Sequence, residues 1–411
     1  MNHDLPLTRR TVISSALLGP AALLYGAVPA RAAGAPPALP APPLTLTLPA
    51  PSGRHPVGSR AVHLVDVSRP DPWSAEPPLR ELMLTVRYPA RAAAGAAAVR
   101  SAAVREPQLT AGAAEVFGAY APWGPLRLPA TGVDWAATLT HSHPDAPALP
   151  GRWPVLLHSP GGGDPRGLGS TLAEELASHG AVVLSVDHPG DAAAVEFPDR
   201  PGPGRVREGV LHEDPRGNPA LARTMIATRI ADLRFVLDRL HHPGGIPLPP
   251  RLAASLDLGR IGVYGHSAGG GAVTELLHED HRIRTGVNLE GHLDHPPSAP
   301  GTAAEPYRVV QEGTARPLLM LASEAFDHRA DLDASWSALT RRSGPRVRTL
   351  RLPGTGHWSF TDYAAMLPRL QEAGLMPAAT RASLIGTLPA RDSVAVVRHL
   401  VRRFLTTHLA T

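Results

Sequence analysis

A possible serine nucleophile stands out in the segment 265–269, which reads Gly-His-Ser-Ala-Gly. The apolar residues 260–264 before it are short enough for a buried strand, and residues 268–277 after it have the composition of a helix. A strand, a tight turn and a helix in this order expose a serine hydroxyl on a strained turn, where flanking glycines avoid collisions with the strand and the helix. The pattern therefore predicts Ser267 as a nucleophile, and the alternative is an ordinary strand-to-helix turn.

A serine hydroxyl is a weak nucleophile, so it needs a base and an oxyanion hole. His357 lies in a Gly-Thr-Gly-His-Trp segment directly after the last predicted strand, from which a short loop can return an imidazole to Ser267. The backbone N–H groups of Ala268 and of Gly162, in the loop Ser-Pro-Gly-Gly-Gly, are the expected oxyanion donors. A glycine loop that is merely flexible is the alternative for Gly162.

Two missing residue types narrow the chemistry further. The chain has no cysteine and no lysine, so its 40 basic residues are all arginine. Disulfides, thiolate nucleophiles, Schiff bases and a P-loop lysine are thereby excluded. The formal net charge is only +4, and arginine is interspersed with acidic residues. This mixture indicates a solvated surface and not the basic stripe of a nucleic-acid-binding protein.

Strands and helices alternate along the chain. Strands are predicted at residues 61–67, 82–88, 154–157, 181–186, 260–264, 283–289, 317–322 and 347–352, and helices at 168–179, 221–240, 268–277 and 391–405. Alternation with continuously apolar strands indicates a mostly parallel sheet with helices on both faces. With the serine motif, it predicts an α/β-hydrolase fold. A carboxylate must also orient the catalytic histidine. In that fold it usually follows the seventh strand, which here points to Asp327 or Glu324.

The ends of the predicted domain differ from its interior in composition. Residues 1–32 combine Arg9 and Arg10, a mildly apolar run and Ala-Arg-Ala, which predicts an export signal of the twin-arginine type, with Sec export and a membrane anchor as alternatives. Residues 33–58 are rich in Ala and Pro and are predicted to be a flexible linker. The hydrolase domain is expected to span 59–411. Within it, residues 197–219 could form a lid or be disordered.

Several motifs together resemble the platelet-activating factor acetylhydrolase group of α/β-hydrolases, specifically the plasma or type II branch and its bacterial relatives. The resemblance runs from about residue 82 to the C-terminus. Its motifs are Val-Arg-Tyr-Pro-Ala at 86–90, Ser-Pro-Gly-Gly-Gly at 159–163, Ala-Ser-His-Gly at 177–180, Gly-His-Ser-Ala-Gly-Gly at 265–270, Asn-Leu-Glu-Gly at 288–291, Pro-Leu at 317–318 with Ser-Glu-Ala-Phe at 323–326, and His-Trp-Ser-Phe-Thr-Asp at 357–362.

The resemblance implies a carboxylic ester hydrolase that acts on short or lipid-like acyl esters and uses no cofactor. It also implies that the acid follows the sixth strand, which makes Glu290 the favoured acid over Asp327, although the family usually has Asp there. A polyester or triglyceride lipase of the cutinase type is the alternative within this class. A catalytically silent α/β-hydrolase that binds a ligand is the alternative outside it.

Two other groups of residues suggest further contacts. Glu290, His292, Asp294 and His295 lie close enough in sequence to suggest a metal site, but a polar loop beside an active site is the more common explanation, so no metal is expected. Residues 363–388 contain several Leu and Met side chains that could touch a lipid surface or belong to the core. From the resemblance, the expected partner is a small-molecule or lipid ester. From the export signal at residues 1–32, the expected location is outside the cell.

Overall fold

The computed structural model describes residues 42–76, 78–92, 104–121, 124, 126–200, 202–299 and 301–410. Their strands are β1 (Leu44–Thr47), β2 (Val57–Pro70), β3 (Leu79–Pro89), β4 (Val133–Leu139), β5 (His143–Pro144), β6 (Trp153–Ser159), β7 (Val182–Val186), β8 (Ala194–Glu196), β9 (Val206–Glu208), β10 (Leu256–His266), β11 (Ile283–Leu289), β12 (Asp294–His295), β13 (Glu305–Pro306), β14 (Leu318–Ala325) and β15 (Val347–Gly356). The export signal predicted at 1–32 lies outside the described residues.

The helices of this part of the chain are α1 (Ala111–Tyr120), α2 (Ser170–Ser178), α3 (Pro219–His241), α4 (Pro250–Ala253), α5 (Ala268–Glu279), α6 (Arg308–Glu312), α7 (Arg329–Ser343), α8 (Tyr363–Glu372), α9 (Ala378–Ile385) and α10 (Ala390–Leu409). Short 3-10 turns occur at Arg166–Gly169, Gly202–Arg205, Pro215–Gly217, Gly344–Arg346 and His357–Phe360. Among the described ranges, every helix is too short or too polar to cross a membrane.

Within the described residues, nine strands form one sheet in the order β15-β14-β11-β10-β6-β7-β3-β2-β5. The strands from β15 to β7 pair in parallel, and β3 pairs antiparallel with both β7 and β2. Because the strands from β15 to β7 run in one direction, the loops after β6, β10, β11, β14 and β15 share one edge of the sheet. The predicted α/β-hydrolase fold is confirmed.

Two layers of apolar side chains cover the sheet. Alternate residues of a strand point to opposite faces, so Val155 and Leu157 of β6 join one cluster with Leu276 of α5. The residue between them, Leu156, joins a second cluster with Val401 of α10. Burial on both faces explains why β7 and the first part of β14 are largely apolar in sequence.

The predicted linker over residues 33–58 is wrong for its described part. Residues from Pro42 onward belong to the same compact unit as the rest of the domain, and β1 pairs in parallel with β4. The side chains of Leu46 and Leu48 are buried, and the guanidinium of Arg398 donates hydrogen bonds to the carbonyls of Pro49 and Ala50. Ala and Pro dominate the composition of this segment, which is why it was predicted to be a linker. The burial of Leu46 and Leu48 nevertheless anchors it to the domain.

The segment proposed as a lid is ordered where it is described. β9, inside this segment, pairs antiparallel with β8. The Arg207 guanidinium in β9 makes two hydrogen bonds to the carboxylate of Asp71, and Leu211 is buried. The segment is therefore tied to the domain by a strand pair, an ion pair and an apolar contact.

The apolar residues at 363–388 do not form a lipid-facing patch. Met366, Leu367, Leu370 and Met376 are all buried, and they pack in one cluster with Phe117 of α1. The core explanation is correct for these four side chains, because α8 turns Met366, Leu367 and Leu370 toward α1, and Met376, which follows α8, packs in the same cluster. A lipid contact through these residues would require the helix to leave the domain.

Candidate active site

Ser267 lies on a strained turn between β10 and α5. Its backbone has φ 51° and ψ −121°, a left-handed region that non-glycine residues rarely adopt. A side chain at Gly265 would place a Cβ 2.4 Å from the carbonyl oxygen of Gly269, and one at Gly269 would lie 2.1 Å from that of Ser159. The glycines are thus required by close backbone contacts. The turn leaves Ser267 partly exposed.

The predicted oxyanion donors lie side by side. A Cβ added to Gly162 would lie 3.7 Å from Cβ of Ala268, and both residues are partly exposed. Ala268 is the first residue of α5, so its N–H has no acceptor within the helix. Within the described part of the chain, the N–H of Gly162 makes no hydrogen bond either. Two unoccupied amide donors beside an exposed hydroxyl suit an oxyanion hole.

His357 begins the 3-10 turn that follows β15. Its Nδ1 lies 2.9 Å from Oε2 of Glu290, so Nδ1–H donates to the carboxylate and the lone pair is left on Nε2. The backbone carbonyl of His357 lies 3.1 Å from Nε2 of His266, the residue before Ser267. The ring of Phe326 stacks on the imidazole with centroids 4.6 Å apart. These contacts hold the imidazole beside the nucleophile turn.

The carboxylate on His357 is itself firmly held. Glu290 has φ 59° and is fully buried directly after β11. Its Oε1 accepts hydrogen bonds from the backbone N–H of Ser323, at 2.6 Å, and from the guanidinium of Arg329, at 2.9 Å. Burial alone would raise the pKa of the Glu290 carboxyl, but the hydrogen bonds and charge from His357 and Ser323 lower it below its usual value.

The other two candidate acids do not contact the imidazole. Asp327 is exposed to solvent and makes no hydrogen bond or ion pair with any described residue. Glu324 is exposed, and its Oε2 accepts a hydrogen bond from the N–H of Gly354 at 2.8 Å. Ser323 and Arg329, which hold Glu290, were not identified from the sequence, because neither residue type marks such a role by itself.

The acidic and histidine residues after β11 do not converge. In the described ranges, no group of three or more His, Asp or Glu side chains could hold a metal ion. Asp294 pairs with Arg216 at 2.9 Å, whereas the ring of His292 lies 5.7 Å from that of Phe326. Burial lowers the pKa of His292 to about 2, which keeps its imidazole neutral.

Asp187 and His188, which follow β7, are both buried. The Asp187 carboxylate accepts hydrogen bonds from Arg166. The His188 imidazole lies 2.9 Å from the Asp232 carboxylate and 2.9 Å from Oγ of Ser159. Both side chains therefore bind neighbouring protein groups and do not face a substrate.

Comparison with known proteins agrees with this geometry. The family described as platelet-activating factor acetylhydrolase, isoform II, matches residues 45–203 and 250–409. A probable 1-alkyl-2-acetylglycerophosphocholine esterase of Arthroderma benhamiae is 29% identical over 272 residues, which are 64% of this chain and 62% of the relative. The platelet-activating factor acetylhydrolase of Canis lupus familiaris is 27% identical over 231 residues, 52% of this chain and 49% of that protein.

This chain thus spans less than two thirds of the length of both relatives. A solved structure, the ferulic acid esterase from Streptomyces cinnamoneus, is 32% identical with a TM-score of 0.69, and the match covers 89% of this chain and 94% of that one. These names support the predicted class of carboxylic ester hydrolases. Since the family match covers most of the residues, the chain belongs to the platelet-activating factor acetylhydrolase, isoform II, family.

Proposed function

We propose that the chain is an exported serine esterase that hydrolyses short-acyl or lipid-like carboxylic esters through an acyl-enzyme. The hydrogen bond between Glu290 and His357, beside the strained Ser267, is the observation that carries the proposal. A histidine whose Nδ1–H is held by a carboxylate presents Nε2 as a general base. A serine on a turn of this kind is a nucleophile that such a base can activate.

In the proposed mechanism, Ser267 Oγ attacks the ester carbonyl while Nε2 of His357 takes its proton. The carbonyl oxygen becomes an oxyanion, which the N–H groups of Gly162 and Ala268 stabilise. Glu290 stabilises the imidazolium that forms. His357 then gives the proton to the leaving alkoxide, and the acyl group stays on Ser267. Water attacks the acyl-enzyme with His357 again as base, which releases the carboxylic acid and restores the hydroxyl.

The space beside Gly162 supports a small acyl group. A cavity of about 20 Å³ adjoins Gly162 and is lined by Phe117, Tyr120, Leu126 and Tyr363. Such a volume holds a group about the size of one or two water molecules. An acetyl methyl group fits this space, which supports a short acyl group in the proposed substrate. The acetyl ester named for the Arthroderma relative has the size that this cavity favours.

A chain-length series tests the substrate class. We expect kcat/KM for p-nitrophenyl acetate to exceed that for the octanoate by at least tenfold, and methyl ferulate to be a poor substrate. A preference for the octanoate or for tributyrin would instead favour the lipase alternative. Labelling by a fluorophosphonate probe in the wild type, absent in Ser267→Ala, tests the nucleophile. A chain that is neither labelled nor active would be a silent binding protein.

Export is proposed from the sequence of residues 1–32. Paired arginines, a mildly apolar run and a small-residue cleavage site support it. N-terminal sequencing of the protein outside the cytoplasm is expected to begin near Ala33. Replacing Arg9 and Arg10 by Lys is expected to block export by the twin-arginine route and to leave Sec export unchanged. An intact leader found on membranes would contradict both routes and favour the anchor.

A further inference from the structure

A fully buried arginine lies directly behind the loop that carries Gly162. Arg229 of α3 is 0% exposed. Its guanidinium donates two hydrogen bonds to the Asp191 carboxylate and one each to Oγ of Ser159 and the carbonyls of Pro160 and Gly161. These contacts match in number the five N–H donors of an arginine side chain. Three of the five go to the first three residues of the predicted oxyanion loop, Ser159, Pro160 and Gly161.

The bond from Arg229 to Gly161 contributes to the orientation of Gly162, together with the Asp164 N–H, which donates to the same carbonyl at 3.1 Å. The carbonyl of Gly161 and the N–H of Gly162 belong to one planar peptide unit, and in a trans unit they point in opposite directions. Nη2 of Arg229 lies 2.8 Å from that carbonyl oxygen. Holding the oxygen toward the guanidinium of Arg229 therefore directs the N–H of Gly162 away from that guanidinium.

The next peptide unit is held by the same ion pair. The N–H of Gly163 donates to Oδ1 of Asp191 at 3.0 Å, and that oxygen also accepts from Nη2 of Arg229 at 2.8 Å. The carbonyl of Gly162 must then point opposite to the N–H of Gly163. Both peptide units that flank Gly162 are thus held, one by the cation and one by its anion.

A buried chain of side chains extends this support. Oγ of Ser159 accepts from Arg229 at 3.1 Å and donates to Nε2 of His188 at 2.9 Å. Nδ1 of His188 donates in turn to Asp232 at 2.9 Å. Burial lowers the pKa of His188, and a neutral imidazole suits this direction of the bonds. Ser159, His188 and Asp232 have the residue types of a catalytic triad, but all three are inaccessible to a substrate.

We propose that Arg229 and Asp191 are positioning residues that preorganise the oxyanion hole by holding the peptide units on both sides of Gly162. A buried ion pair adds little to stability on average, because removing two charges from water offsets their attraction. An N–H donor that is oriented toward a developing negative charge, in contrast, increases the reaction rate by a large factor. Arg229 lies between the two segments that match the family, whereas Asp191 lies within the first of them.

The kinetic part of the test rests on the proposed function. We expect Arg229→Met to lower kcat for p-nitrophenyl acetate by roughly 10²-fold, the loss caused by removing one oxyanion donor, with KM changed by less than about threefold. Affinity for a trifluoromethyl ketone, which forms a tetrahedral oxyanion on Ser267, should fall by a similar factor. Asp191→Asn should show a smaller loss of the same kind, and Arg229→Lys should recover part of kcat.

Arg398→Met is the matched control. Arg398 is also buried, and its guanidinium also holds two backbone carbonyls, those of Pro49 and Ala50, but these lie outside the oxyanion loop. We expect this variant to lose thermal stability while kcat stays within about twofold of the wild type. Equal losses of kcat in both methionine variants would show a general effect of unfolding and would overturn the proposal.

A crystal structure of the Arg229→Met variant gives a readout independent of activity. The proposal expects the peptide unit between Gly161 and Gly162 to rotate or become disordered. If that variant does not fold, the same measurement on Asp191→Asn and Arg229→Lys decides the question. An unchanged loop with wild-type kcat in folded variants overturns the positioning role alone. A wild type that is inactive and unlabelled overturns the proposed function, whatever the loop does.

Discussion

Oε2 of Glu290 lies 2.9 Å from Nδ1 of His357, although 67 residues separate the two along the chain. The strand β14, which lies between them in sequence, supplies Ser323, and its hydroxyl and N–H hold the same carboxylate. The carboxylate thus touches both the imidazole and the adjacent strand. This arrangement lets Glu290 orient His357 without moving, because each oxygen has a partner of its own.

Replacing this carboxylate should damage catalysis and spare the fold. Glu290→Gln removes the charge that stabilises the imidazolium, so we expect kcat to fall by roughly 10²–10⁴-fold. Asp327→Asn is the matched control, because Asp327 follows the next strand but makes no contact with His357. Glu290→Asp should retain part of the activity. Wild-type kcat in Glu290→Gln together with a large loss in Asp327→Asn would place the acid after β14.

The N-terminal strand should contribute to stability. Leu46→Ala removes a side chain that is 1% exposed, so we expect the free energy of unfolding to fall by about 2–4 kcal/mol. Val67→Ala is the control, because Val67 is 77% exposed and should change stability by less than about 0.5 kcal/mol. Urea denaturation followed by circular dichroism measures both. Equal stability of the two variants would mean that β1 does not pack as described.

A buried carboxyl should make stability depend on pH. Burial raises the pKa of the Asp164 carboxyl from its ordinary value of 3.8 to about 7. The folded state therefore keeps a proton that the unfolded state loses, and this stabilising contribution is lost as the pH rises from about 4 to about 7. At 1.36 kcal/mol for each of about three pKa units, the loss approaches about 4 kcal/mol.

Asp164→Asn cannot lose a proton, so the variant should lack this loss. We expect its free energy of unfolding, relative to the wild type, to increase between pH 4 and pH 7 and to level off above pH 7. Asp199→Asn, at an exposed position, should follow the wild type at every pH. A constant difference between Asp164→Asn and the wild type over this range would contradict the raised pKa.

Chelation should leave hydrolysis unchanged. No step of the proposed mechanism uses a metal, and the carboxylates of Glu290 and Asp294 are already paired with arginine side chains. We therefore expect equal initial rates for p-nitrophenyl acetate before and after dialysis against EDTA. A loss of activity that zinc or calcium restores would assign a metal to the residues that follow β11.

Local patterns predicted the parts of the molecule that depend on neighbours in sequence. The strand β11 was predicted with its observed bounds, Ile283–Leu289, although Arg284 and Thr285 interrupt its apolar residues. The strand β7 left a clearer signal, because a strand buried on both faces is mostly apolar. The turn at Ser267 was predicted from its glycines, although the close contact that requires Gly269 is with the carbonyl of Ser159, far away in the sequence. In contrast, α7 was not predicted, because its polar sequence contains few apolar residues apart from Leu332, Trp336 and Leu339.

By itself, the sequence determined the fold class and pointed to Ser267 and His357, whose surroundings are set by a strand end and a glycine turn. Only the tertiary structure decided which carboxylate meets the imidazole, because Glu290, Glu324 and Asp327 all lie at or beyond strand ends on the same edge of the sheet. It also decided that Arg229 lies behind the oxyanion loop. The local sequence does not show whether an arginine in a helix is buried, and the hydrogen-bond partners of Arg229 come from loops far away in the chain.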